Sequence, residues 1–213
     1  MNEPSCSLRF FHAASETEAL RISVNDSLFT PELAYRAVSP YFPVPLGFAS
    51  VTLSGTRTKR VYLQKTLNLF VPISYTAAVI ETANGPDLLL MADTPCPLSS
   101  PEFGCIRAAN LAFGSPPLDF FLYGSRLMFA DVNFKEVTPF KPLKPGEYGF
   151  YMTPGQDMDS PLLSILTDME AGGMYTMCVL SGSWRPDALD VMLLPYDTGT
   201  EPVPAEEAEK AES

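Results

Sequence analysis

The chain has 213 residues, of which 46% are hydrophobic and only 18% charged, and it carries a formal net charge of −11. That much apolar surface argues against general disorder, and the acidity argues against a nucleic-acid partner, whose phosphates need clustered lysine and arginine. Twenty-one prolines and thirteen glycines, spread along the body, break any helical periodicity and favour short strands joined by turns.

From the N-terminus, Met1 to Phe10 lacks the basic region and long apolar run of a secretory signal, so a cytoplasmic location is expected. Residues 1–7 read as an extension. The first strand is expected at Leu8-Arg9-Phe10-Phe11-His12-Ala13-Ala14, and a second at Leu20 to Val24, apolar at alternate positions and followed by an Asn-Asp-Ser turn. Pro40 to Gly47 forms a proline turn, and its glycine opens an alternating segment with Val51-Thr52-Leu53. Val61 to Ile80 is the most apolar stretch, but Gln64, Lys65, Asn68 and Pro72 disqualify it as a membrane span. Tyr75 to Val79 and Leu88 to Met91 complete the unit, which a Pro/Ser-rich linker over 95–104 joins to the rest.

The second half repeats the first. Arg9 aligns with Arg107 in the opening strand, and Leu20 to Ser27 aligns with Leu118 to Ser125. Pro40-Tyr41-Phe42-Pro43-Val44-Pro45-Leu46-Gly47 aligns with Pro139-Phe140-Lys141-Pro142-Leu143-Lys144-Pro145-Gly146, and Tyr75 to Val79 with Tyr175 to Val179. The offset drifts slowly, as small loop insertions would produce. The chain is therefore expected to be all-β: two tandem antiparallel β-sandwich domains over 8–94 and 105–197, followed by a disordered acidic tail over 198–213. Prolines belong at turns and edges, where no ladder donor is lost.

The repeated opening, the turns ending at Gly47 and Gly146, and Ala171-Gly172-Gly173-Met174-Tyr175-Thr176 resemble a bacterial domain-of-unknown-function family that commonly occurs as two tandem copies. The resemblance covers Leu8 to Asp197. It implies immunoglobulin-like or transthyretin-like sandwiches, no assigned catalytic residues, and a secreted or cell-envelope location as the alternative to the cytoplasm.

Few residues carry chemistry of their own. His12 is the only histidine, so any triad or histidine metal site must pass through it. With Asn110 at the equivalent position, a turn-bonding role is expected. Cys178 reads as a core residue and Cys6 as part of a frayed terminus. Cys96 and Cys105 flank a loop that closes as a disulfide in an oxidising compartment or stays open as two thiols, and thiols are expected in the absence of an export signal. Asp157-Met158-Asp159-Ser160 reads as a solvated turn, with calcium as the alternative. No Gly-x-Ser-x-Gly elbow and no phosphate-cradling motif occurs.

Most of the aromatic residues, the single Trp184 among them, are expected in the cores. Tyr41, Phe42 and Phe140 instead form a sticking surface if the proline turns leave them exposed. No catalytic, cofactor or metal residue is therefore assigned. The expectation is a non-enzymatic binding or structural module for a protein or polysaccharide, without membrane insertion. A hydrolase using carboxylates brought together by the fold, or a subunit of a larger coat assembly, are the alternatives.

Overall fold

Residues 4–96, 102–124, 126–155, 161–182 and 188–196 are described by the computed structural model. Among them there are sixteen strands and no helix, and so no helix able to cross a membrane. The first unit contains β1 (Ser5–His12), β2 (Leu20–Val24), β3 (Ser27–Leu33), β4 (Phe42–Pro45), β5 (Gly47–Gly55), β6 (Val61–Leu69), β7 (Ser74–Ile80) and β8 (Asp87–Asp93). The second contains β9 (Gly104–Asn110), β10 (Leu118–Leu122), β11 (Arg126–Val132), β12 (Lys141–Leu143), β13 (Gly146–Pro154), β14 (Leu163–Met169), β15 (Met174–Ser181) and β16 (Leu189–Tyr196).

Each unit is a sandwich of two four-stranded sheets. The orders are β4-β1-β7-β8 and β3-β2-β5-β6 in the first unit, and β12-β9-β15-β16 and β11-β10-β13-β14 in the second. The two halves thus share one strand order. Pairing is antiparallel except where β1 lies parallel to β7 and β9 parallel to β15. These are long crossovers between sequence-distant strands, which local alternation does not reveal. The hairpins β2–β3 and β10–β11 carry register shifts at matching positions. Prolines within strands sit on the edge strands β3, β4, β12 and β16 or at the end of β13, where no ladder donor is lost. Gly47 and Gly146 open β5 and β13 at φ +126° and +141°, angles that L side chains rarely adopt and that explain the repeated glycine.

The core has three large parts and a small cluster of Cys105, Phe140 and Met174. Cys6, Leu8 and Phe10 of β1 point into the first sandwich, and Ile106 and Ala108 of β9 into the second. The intervening residues Phe11 and Ala109 join Ala78, Ile80, Met91, Cys178, Leu180 and Leu194 in a cluster shared by both units. β1 and β9 are therefore buried on both faces, and the sheets holding β1 and β9 pack against each other. Two ion pairs flank this contact, Arg36–Asp190 and Lys135–Asp87, and they exchange under the repeat. The interface has the self-complementary character of a two-fold dimer, formed within one chain.

β1 starts at Ser5, ahead of the expected Leu8, and it buries Cys6 against Val44 O; Cys6 is thus not part of a frayed end. Cys96 and Cys105 form a disulfide with Cα atoms 6.0 Å apart, which overturns the expected thiols. The fold brings the two strand ends within bridging distance, a fact that spacing along the chain does not encode.

Candidate ligand-binding face

The residues singled out in the sequence are structural. His12 is fully buried: its Nε2 donates to Glu18 O at 3.1 Å and its Nδ1 accepts the Ala14 N–H at 3.3 Å. Burial lowers its pKa. Asn110 does the same work in the second unit, accepting the Ala112 N–H at 3.2 Å and donating to Ser115 Oγ and Val132 O. Cys178 is buried with its pKa pushed up to about 12 by desolvation, so it is not a thiolate nucleophile. Asp157, Asp159, Trp184 and the acidic tail lie outside the described residues.

The proline-turn aromatics are absorbed rather than displayed. Phe42 packs on Phe29 with ring centroids 4.4 Å apart. Tyr41 and Phe140 each cover a buried arginine, Arg9 and Arg107, at 4.6 Å from guanidinium to ring. Arg9 and Arg107 bond symmetrically. Each Nε donates to the threonine of the neighbouring strand, Thr76 at 2.9 Å and Thr176 at 3.0 Å, and each Nη1 donates to a carbonyl of the other unit, Pro195 and Ala92. Asp93 breaks the symmetry, since Tyr196 takes its place in the second unit. Its Oδ1 accepts from Arg107 Nη2 at 3.1 Å and from Tyr196 Oη, and its Oδ2 from Thr76 at 2.7 Å and Tyr41 at 2.8 Å. Burial still raises its pKa. With aromatic rings and strands closing over it, this network locks the two units together and leaves no room for substrate.

A hollow of about 360 Å³ along β13 and β14 is lined by Glu147, Tyr148, Gly149, Leu166, Thr167 and Asp168, and two further concave regions stand out. A cleft of about 710 Å³ between the units is lined by Ser15, Glu16, Glu81 and Thr82 from one side and Phe113, Gly114 and Ser181 from the other. Glu81 accepts from Thr17 Oγ1 at 3.1 Å, and its pKa is raised, chiefly by burial and further by Glu16.

The other region lies on the outer face of the β11-β10-β13-β14 sheet. A cross-strand row runs Leu127, Phe121, Tyr151, Ser164 in register. Phe121 stacks on Tyr151 at 5.1 Å with an 11° interplanar angle, and Tyr123 stacks on Tyr151 at 5.9 Å and 28°. A hollow of about 390 Å³ beside them is lined by Tyr123, Tyr151, Pro161, Leu162, Leu163 and Ser164, none of them charged. Tyr123 is 58% exposed and Leu166 76%.

The first unit is an internal control for this face. Its equivalent row is Leu28, Ser23, Thr52, Gln64, polar but for Leu28, as an outward face ordinarily is, and the exposed Phe48–Phe70 pair of that unit lies outside the row. Asn25 and Tyr123 make the same backbone bond, to Ser50 O at 2.8 Å and Gly149 O at 2.9 Å. Asn25 Oδ1 also accepts the Ser50 N–H. In the second unit the Tyr123 ring lies against Gly149, where any Cβ would collide with it. The asparagine–serine pair has thus become a tyrosine and the glycine that makes room for it. Tyr123, Tyr151 and Gly149 escape a search for reactive residues. Comparing the repeats at outward positions finds them.

A model of the Domain of unknown function (DUF4397) matches residues 6–121, more than half of the chain. No curated protein matches the sequence. Among solved structures, the Bacillus anthracis TIE protein aligns at a TM-score of 0.26 and 10% identity over 84% of this chain and 34% of that one. The chain therefore spans about a third of that protein's length. The family CBM26 module CBMbc of Eubacterium rectale Amy13K, solved in complex with maltoheptaose, aligns at 0.29 and 8% identity over 90% and 97% of the two chains. A streptococcal virulence factor described for alpha-glucan binding aligns at 0.27 and 11% identity over 81% and 93%.

Proposed function

The chain belongs to the DUF4397 family of domains of unknown function, and from that premise we propose that it is a binding module whose contact surface is the outer face of the β11-β10-β13-β14 sheet. The observation that carries this reading is the replacement of Asn25, Ser50 and Thr52 by Tyr123, Gly149 and Tyr151 at equivalent outward-facing positions of one architecture. Exposing aromatic rings to water is unfavourable and is not needed to fold the sandwich, since the first unit folds the same way with polar residues there. The stacked rings hold their geometry before any partner arrives, which reduces the ordering cost of binding. The Cys96–Cys105 bridge supports an oxidising compartment, the cell envelope or beyond it, for this activity.

An array of immobilised polysaccharides and peptides tests the reading when probed with wild type, Tyr123→Ala/Tyr151→Ala and the first-unit control Asn25→Ala/Thr52→Ala. Binding lost in the second-unit variant and retained in the control is expected. Equal binding by all three rejects the proposed face.

A second reading, a carboxylate hydrolase in the inter-unit cleft, is favoured by Glu81, whose raised pKa suits a general acid. Hydrolysis of any of a panel of chromogenic glycosides, abolished by Glu81→Gln, is its test.

A further inference from the structure

We infer that the occupant of the second unit's outer face is a neutral polysaccharide lying across the strands, its sugar rings against Tyr123 and Tyr151. The inference rests on the binding-module reading above and narrows it to one ligand chemistry.

Several observations select that chemistry. The hollow offers apolar ring surface together with the hydroxyls of Tyr123, Tyr151 and Ser164 and, among the described residues that line it, no ionised group. A sugar ring presents the complement, a C–H face rimmed by hydroxyls, while an ionised ligand finds no counter-charge among the described residues that line the hollow. The chain's net charge of −11 further disfavours an acidic glycan.

The patch is also too small for a stable protein partner, which engages about 20–30 residues a side, whereas the apolar and aromatic face comprises Tyr123, Leu127, Tyr151, Leu162 and Leu166 around a buried Phe121. An extended peptide would add to a strand edge through backbone bonds. Here Phe121 stands on β10 and Tyr151 on β13, central strands with neighbours on both sides, and Tyr123 directly follows β10, so the rings themselves present side chains and not a free strand edge.

Finally, the row from Leu127 to Ser164 crosses four strands in register, about 14 Å at the usual strand spacing. That length suits a run of sugar residues better than a single one. The hollow of about 390 Å³ lies within the range of ligand sites.

Native affinity electrophoresis of the full chain decides the matter, in gels containing soluble starch, glucomannan or arabinoxylan, with alginate as the anionic arm. Fluorescence anisotropy with a labelled proline-rich peptide forms a separate arm. Retardation by at least one neutral polysaccharide, weakened tenfold or more in Tyr123→Ala and Gly149→Ala but not in Asn25→Ala, is the expected result. Melting temperatures within a few degrees of wild type would show that the variants still fold. Retardation by alginate alone overturns the inference. Peptide binding that Tyr123→Ala abolishes, without retardation by any neutral polysaccharide, overturns the ligand class while sparing the contact face. No binding to any probe, or binding indifferent to Tyr123→Ala, removes both.

Discussion

Replacing His12 by asparagine should make folding stability less sensitive to pH while leaving the fold intact. His12 Nδ1 accepts the Ala14 N–H and Nε2 donates to Glu18 O in a fully buried site. Protonation would set a second N–H against the Ala14 N–H and strand a charge away from water, so the folded pKa lies below the ordinary value of 6.5. The unfolded chain therefore binds the proton more readily than the folded one, and stability falls as pH drops through about 6.5. The loss levels off only below the folded pKa. Between pH 7.5 and 5.5 the largest contribution one such histidine makes is about 1.4 kcal/mol. That corresponds to roughly 3–6 °C in Tm for a chain of this size. Asn110 shows that asparagine satisfies the same turn, so His12→Asn should fold and lose this component. Urea unfolding of both proteins at the two pH values measures the difference directly. Identical pH dependence in wild type and variant would refute the argument.

Three further outcomes are expected. Asp93→Asn leaves Arg107 buried without its paired carboxylate, and should cost about 3–5 kcal/mol in denaturant unfolding, part of it recovered when Arg107→Met is added. Cys96→Ser opens a short loop, its ends separated by nine positions, and chain-entropy arguments give a loss of about 2–3 kcal/mol, read as a lower Tm that reductant then no longer changes. Gly149→Ala keeps an ordinary strand backbone but displaces the Tyr123 ring, so ligand retention should fall tenfold or more while Tm moves by only a few degrees.

Much of the architecture was legible. Alternation along Leu20 to Val24 marked a strand because one face of a sheet is buried and the other is not, and its copy Leu118 to Leu122 is a strand too, though buried on both faces. The recurrence of Arg9, Gly47 and Tyr75 as Arg107, Gly146 and Tyr175 identified the duplication. The parallel pairing of β1 with β7 and the burial of both β1 faces were not legible, because pairing partners and interfaces are chosen by distant strands. Cys96 and Cys105 stood in plain view, but their approach depends on how the second unit docks onto the first.

The candidate face was half visible. Tyr123 opposite Asn25 and Tyr151 opposite Thr52 are present in the aligned repeats, but composition alone assigned such rings to cores. Register showed that they point outward and lie side by side.

What the sequence by itself determined is the all-β class, the tandem repeat and the glycine turns, because these follow from local steric limits and from the two-residue period of a strand. Only the tertiary structure decided the shared inter-unit core, the Arg9–Asp93–Arg107 centre and the outward aromatic row, because each joins residues far apart in the chain whose proximity is a product of packing.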